Sequence, residues 1–252
     1  MKISYELNPP KLVKNEYFEI SLLQKEIRNL IERAFSLNGL VDGIHLTDSV
    51  LGVPRLSSVT AASYIRNSGI ALSLSCSLRV RDRNFTSIFQ FVSDATLVGV
   101  KSLLVLLGDK PSKGSGDSKL VPSEILKVLR SERYDTGVEL NLTVPSKIRN
   151  ISSIRKKIEA KPNALVTQSI SSLSNLGEIV DVARPFGIGV VACIMTPSKK
   201  NEFSAEMIGL DWTEYQKEPV DFLKEAGKCA NEILLTSPNS FKDGLELLKA
   251  LK

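Results

Sequence analysis

Two carboxylates stand at positions where a folded chain has little structural use for them. Glu6 ends the segment Ile3-Ser4-Tyr5-Glu6 ahead of Leu7-Asn8-Pro9-Pro10, and Asp109 follows Leu103-Leu104-Val105-Leu106-Leu107-Gly108. The run from Ser102 to Leu107 shows no alternation, so it reads as a strand buried on both faces, and Gly-Asp with a nearby proline ends it abruptly. Carboxylates beside buried sheet are poor core residues and good candidates for a site. Other polar groups share their placement just past apolar runs: Thr47 and Asp48, the series Arg81-Asp82-Arg83-Asn84, Gln168 and Thr236. Each also has a structural reading. Glu6 could be a solvated strand end, Asp109 a turn former in Gly-Asp-Lys-Pro, and Thr47 a β-branched strand residue. Lys156 and Lys157 fit a solvated helix face, and His45 alternates with Ile44 and Leu46 as a structural histidine would.

The elements that must position these groups alternate regularly. Strands are predicted at 2–7, 43–47, 70–80, 102–107, 138–142, 164–168, 188–194 and 232–236. Amphipathic helices are predicted at 20–37, 57–67, 86–98, 123–130, 148–160, 173–185, 220–230 and 241–251. In the fifth of these, Ile148, Ile151, Ile154 and Ile158 share one face, while Arg149, Arg155, Lys156 and Lys157 lie elsewhere. A doubly wound sheet also alternates in this way, but no Gly-x-Gly-x-x-Gly follows any strand, and Gly114-Ser115-Gly116 sits deep in a loop. The pattern therefore predicts one α/β domain, a single (β/α)8 TIM barrel over residues 1–252 with no regulatory domain after its last helix. In such a barrel the site is built at the C-terminal ends of the strands, where the polar residues above all fall.

Composition narrows the function classes. The chain has 252 residues, 42% of them hydrophobic, and its 33 basic and 28 acidic residues are interspersed without a basic tail. A net charge of +5 on such a surface gives a modest anion preference rather than a nucleic-acid footprint. Cys76, Cys193 and Cys229 are scattered, with no CxxC pair and only one histidine, so neither a disulfide framework nor a metal site is expected. No signal peptide and no apolar run long enough to span a bilayer is visible. A cytoplasmic protein that binds neither nucleic acid nor membrane is the expectation.

Taken in order, Glu-x-x-Pro-Pro after the first strand, Thr47 after the second, Arg-Asp-Arg-Asn after the third, Gly-Asp-x-Pro after the fourth and Thr-Gln after the sixth resemble methylenetetrahydrofolate reductase. The likeness runs from Glu6 to Thr236 and includes residues 42–49 and 154–160. It implies a flavoprotein oxidoreductase of one-carbon, folate and methionine metabolism, acting on CH–NH donors. Hydride would pass from NAD(P)H to FAD, and then to an iminium formed from methylene-tetrahydrofolate or a modified pterin. By resemblance Glu6 is the general acid that opens the methylene bridge. Asp109 lies by flavin and pterin, and Gln168 bonds the pterin. Thr47, Arg81, Asp82, Arg83, Asn84, Lys156 and Lys157 contact FAD.

The chain also departs from the family. Its third strand, Leu72-Ser73-Leu74-Ser75-Cys76-Ser77-Leu78-Arg79-Val80, lacks the family's histidine, Leu107 replaces an arginine, and Leu140 to Pro145 and Ala192 to Pro197 lose two proline-containing motifs. Most losses fall on the flavin grip, which identifies the chain with a divergent, single-domain prokaryotic type. Two alternatives therefore stand beside the flavin enzyme: a flavin-free reductase using a soluble hydride carrier, and a non-reducing pterin-binding or methyl-transfer subunit. A homo-oligomer or a partner subunit is compatible with each.

Overall fold

Apolar strands separated by amphipathic helices bury both sheet faces either beneath two helical layers or by closing the sheet and coating its outside. In the computed structural model, which describes residues 1–14, 17–111, 117–148 and 151–252, the sheet closes. The strands are β1 (Ile3–Leu7), β2 (Val13–Lys14), β3 (Tyr17–Phe18), β4 (Gly43–Leu46), β5 (Ser73–Arg79), β6 (Ser102–Leu106), β7 (Glu139–Val144), β8 (Ala164–Thr167), β9 (Gly189–Met195) and β10 (Glu232–Thr236). All but β2 and β3 form a closed parallel barrel in the order β1-β10-β9-β8-β7-β6-β5-β4, so the expected TIM barrel is the fold. The helices are α1 (Ile20–Ser36), α2 (Ser58–Asn67), α3 (Phe85–Val98), α4 (Pro122–Ser131), α5 (Ile151–Glu159), α6 (Leu173–Ala183), α7 (Glu202–Ile208), α8 (Pro219–Cys229) and α9 (Phe241–Ala250). None among the described residues is long and apolar enough to cross a membrane.

Local chemistry sets the helix ends. In α1, Leu23, Ile27, Leu30 and Ala34 recur at helical spacing and are buried. A capping box between Asn84 and Ser87 starts α3, and Gly99, at φ 76°, stops it. Pro122 and Pro219 open α4 and α8, where a missing N–H has no helical partner to lose.

Several boundaries differ from the sequence pattern. The fourth barrel strand ends at Leu106, because Gly108 turns the chain at φ 84° and leaves Leu107 39% exposed. The antiparallel pair β2 and β3 was not expected, since two-residue strands carry no period. Helix α7 also lies between the predicted strand at 188–194 and the predicted helix at 220–230, where no element was expected. Gly114-Ser115-Gly116 and Arg149 fall outside the described residues.

Two compact units divide the chain. One comprises Met1–Glu6, Gly39–Asp42 and Leu142–Lys252, and its core includes Leu176, Ile179, Leu223, Ile233 and Leu235. The other comprises Leu7–Asn38 and Gly43–Asn141, with Ile44, Leu46, Ile65, Leu74, Leu78 and Leu103 at its centre.

Candidate active site

In the first unit, strand register assembles a polar seam. β1 pairs in parallel with β10 as Ile3↔Ile233, Ser4↔Leu234 and Tyr5↔Leu235, and β10 with β9 as Leu234↔Cys193 and Thr236↔Met195. Side chains alternate along β1. Tyr5 turns outward, its ring edge-on to Phe241 at 5.6 Å and its hydroxyl against Gly244, where a Cβ would lie 2.2 Å away. Ser4 and Glu6 therefore turn inward. Two carboxylate–hydroxyl pairs result, one above the other. Lower on the seam, Ser4 Oγ donates to Glu232, which also receives the Lys2 ammonium. Above it, Thr236 Oγ1 donates to Glu6 Oε1 at 2.7 Å.

The two carboxylates differ in countercharge. Glu232 has Lys2, whereas no described cation pairs with Glu6. Loss of hydration therefore raises the Glu6 pKa above the ordinary carboxylate value, and the Thr236 hydrogen bond offsets only part of that rise. Glu6 nonetheless keeps part of its surface open. Beside it on β9 the buried Cys193 thiol is pushed up to about 12, by burial and then by the Glu6 charge, so it stays protonated through neutral pH. Cys193 Sγ lies 3.7 Å from Ser169 Oγ, and its amide donates to Thr167 Oγ1 at 3.0 Å. The result is a carboxyl that binds its proton more tightly than an ordinary one, beside a hydroxyl and a thiol, which suits a general acid.

Other predicted site residues of this unit lie apart from that seam. Gln168 is exposed just past β8, with its amide on the Val144 carbonyl at 2.8 Å. Lys157, half-buried, donates its amine to the Thr143 carbonyl, and burial lowers its pKa. Lys156 is exposed. Thr236 was noted at a strand end but given no role by the sequence reading, and Cys193 was not singled out as a site residue. The signal was available in parity, because residues two apart along a strand share a face.

The second unit holds the remaining predicted residues, and there each predicted charged residue has a partner. Arg79, 1% exposed, donates from Nε to Asp82 at 3.1 Å and from Nη1 to the Ser49 carbonyl at 2.9 Å. Arg81 reaches the Gly108 carbonyl at 2.9 Å and Asp117 at 3.0 Å. Arg83 pairs with Asp48 at 3.2 Å and lies over the Phe91 ring. Asp109 is exposed and accepts the Leu51 amide at 2.8 Å. Asn84 caps α3, and Thr47 donates to Asn8 Oδ1 at 2.6 Å. These contacts hold a tight loop, Ser49–Gly52, in which Ser49, Leu51 and Gly52 all have positive φ and a Cβ on Gly52 would sit 1.8 Å from the Lys110 carbonyl oxygen. Deeper in this unit His45 lies between Ser75 and Ser77, each 2.9 Å from a ring nitrogen, and burial lowers its pKa to about 4. Among the described residues no cluster of three or more His, Cys, Asp or Glu is placed to hold a metal ion.

No family model and no curated protein sequence matches this chain. Solved structures do share its architecture. Tetrameric deoxyribose phosphate aldolase from Aeropyrum pernix has 14% identity and a TM-score of 0.61, with 100% of this chain and 91% of that chain covered. Tryptophan synthase from M. tuberculosis has 14% identity and a TM-score of 0.59 over 99% of this chain and 89% of that one. The tryptophan synthase alpha-subunit from Pyrococcus furiosus has 10% identity and a TM-score of 0.59 over 99% and 96%.

These findings overturn the methylenetetrahydrofolate reductase resemblance. The motifs that suggested it are short, and Gly-Asp and Arg-Asp-Arg-Asn have loop-building partners in the second unit. With the family go the CH–NH oxidoreductase, the FAD and NAD(P)H cofactors, the methylene-pterin substrate, and the flavin-free and methyl-transfer alternatives. At these identities the solved relatives establish architecture alone: the chain is a (β/α)8 barrel built like aldolases and tryptophan synthases.

Proposed function

We propose that this chain is a cytoplasmic lyase of the aldol class, a single catalytic domain that breaks or forms a carbon–carbon bond next to a carbonyl, with Glu6 as the proton carrier. The observation that carries the reading is the Glu6 carboxyl: inward-facing at the C-terminal end of the first barrel strand, hydrogen-bonded by Thr236, and raised in pKa by burial without a cation. That strand end is where barrels of this fold place their chemistry. The choice of carbon–carbon chemistry draws on the aldolases and tryptophan synthases that share the architecture.

In the cleavage direction, the electron pair of the breaking bond flows toward the carbonyl of one fragment. The Glu6 proton moves to that carbonyl oxygen, so the fragment leaves as an enol. The hydroxyl proton of the other fragment passes to water as its aldehyde forms. Gln168, at the end of β8, is proposed to hydrogen-bond the substrate. Association of copies or with a partner subunit belongs to the same reading, since one relative is a tetramer and another is part of an a2b2 complex. Light scattering after gel filtration tests it.

The decisive experiment measures aldehyde release from a panel of β-hydroxy aldehydes and ketones by wild type and by Glu6→Gln. The substitution keeps size and hydrogen bonding but removes the titratable proton, and a loss of about 10²- to 10⁴-fold is expected. Equal rates for the two proteins, or no release by wild type from any member of the panel, would sink the reading.

A further inference from the structure

We propose that Thr236 is a positioning residue for Glu6: its hydroxyl keeps Oε1 as a hydrogen-bond acceptor and so leaves Oε2 to carry the transferable proton. The inference deepens the reading of Glu6 as proton carrier and rests on it.

The geometry argues as follows. A protonated carboxyl has two inequivalent oxygens, one bearing O–H and one accepting. Thr236 Oγ1 donates to Oε1 at 2.7 Å, and that bond is sustained only while Oε1 remains an acceptor. Thr236 is 5% exposed at the last position of β10, so water cannot readily substitute for the threonine, and β-branching limits its χ1. The donor's position follows from the β1–β10 register, which places the hydroxyl beside the carboxyl rather than above it. A proton on Oε1 would reverse this bond and turn the buried threonine O–H away from its acceptor; a proton on Oε2 preserves it as it stands. The seam one step lower makes the same pair with the strands exchanged, Ser4 on β1 donating to Glu232 on β10, but there Lys2 supplies the charge. Only the upper pair joins a hydroxyl donor to a carboxyl without a cation.

The groups around Glu6 in its own unit are few. On β10 they are Thr236 and, lower, Glu232 with its Lys2. On β9 there is the Cys193 thiol, protonated to about 12, and beyond it the Tyr215 hydroxyl, bound to the Met195 carbonyl. His45, in the second unit, is neutral above about pH 4. Neither the Cys193 thiol nor the His45 ring changes charge near neutrality, and the Glu6 titration is told apart from any other by its absence in Glu6→Gln.

The test is infrared difference spectroscopy of the protonated carboxyl band as pH is raised, with the Glu6 band identified by its absence in Glu6→Gln. It needs no substrate. In wild type the band should persist above the ordinary carboxylate range. In Thr236→Val and Thr236→Ala, each lacking the hydroxyl, the band should shift in frequency and its midpoint should rise by about one pH unit, the size of one lost hydrogen bond to the ionised form. Thr236→Ser should restore the wild-type midpoint. A high midpoint that neither hydroxyl-free variant moves would overturn the positioning role while leaving Glu6 as proton carrier. A wild-type midpoint at the ordinary carboxylate value would instead remove the proton-carrier reading on which the role rests.

Discussion

The polar ends of the two units follow opposite electrostatic rules. In the second unit Asp48, Asp82 and Asp117 each face an arginine, and Asp109 faces a backbone amide. In the first, Glu6 faces a hydroxyl and a thiol, and no described cation joins it. A paired carboxylate fixes a loop; an unpaired, dehydrated one binds its proton more tightly. Acidic residues at strand ends thus divide into latches and, on the function proposed above, proton carriers according to what faces them, and the primary structure does not display that partner.

The contrast is broken most directly at Asp82. Asp82→Ala leaves the buried Arg79 charge uncompensated and should cost about 3 kcal/mol, the low end for a broken buried pair because Asp82 is itself exposed. Glu6→Gln should cost no comparable stability, and urea denaturation of both variants compares them. If Glu6→Gln is the more destabilised, the division between latch and carrier fails.

The pH dependence of folding sharpens it next. His45 is lowered from 6.5 in the unfolded chain to about 4 in the fold, so its contribution is present above pH 6.5 and is lost as pH falls through about 4. The loss should amount to roughly 3 kcal/mol and be absent in His45→Gln. Glu6 runs the other way: its folded pKa is raised, so its contribution is full below about 4.5 and is lost as pH rises from there toward the folded value. Denaturation midpoints of wild type and Glu6→Gln should therefore diverge as pH rises from about 4.5.

A smaller effect is expected from Gly108→Ala. The position has φ 84°, and a Cβ would meet the Arg79 stem at 2.5 Å, so a cost of about 2 kcal/mol is expected from backbone strain and the displaced side chain. The smallest belongs to an exposed pair outside both rims. Glu124→Gln, losing its contact with Lys127, should change stability by less than about 0.5 kcal/mol. Thermal melting curves resolve the first and bound the second.

The barrel was legible in the sequence because its signal is repetitive. Eight apolar runs with eight amphipathic stretches between them leave little choice of topology, and even a four-residue strand such as Ala164 to Thr167 lay where the pattern put it. Glu6 was legible too, as a carboxylate at a strand end. Asp109 looked the same in the chain, but what it faces was not legible, because its partner, the Leu51 amide, comes from a loop 58 residues away whose positive φ values no pattern announces. The family likeness failed for a related reason. Gly-Asp and Arg-Asp-Arg-Asn are what tight loops at strand ends require, whatever reaction the barrel performs.

Tyr5 and Gly244 decide where the acid points. The tyrosine occupies the space that a side chain on α9 would fill, and a strand slipped by one residue would drive Glu6 into that helix and the ring into the barrel. The absence of a single methyl group on an outer helix thus acts as the indexing notch of the inner surface. Anyone moving this acid into another barrel would have to carry over that empty position with it.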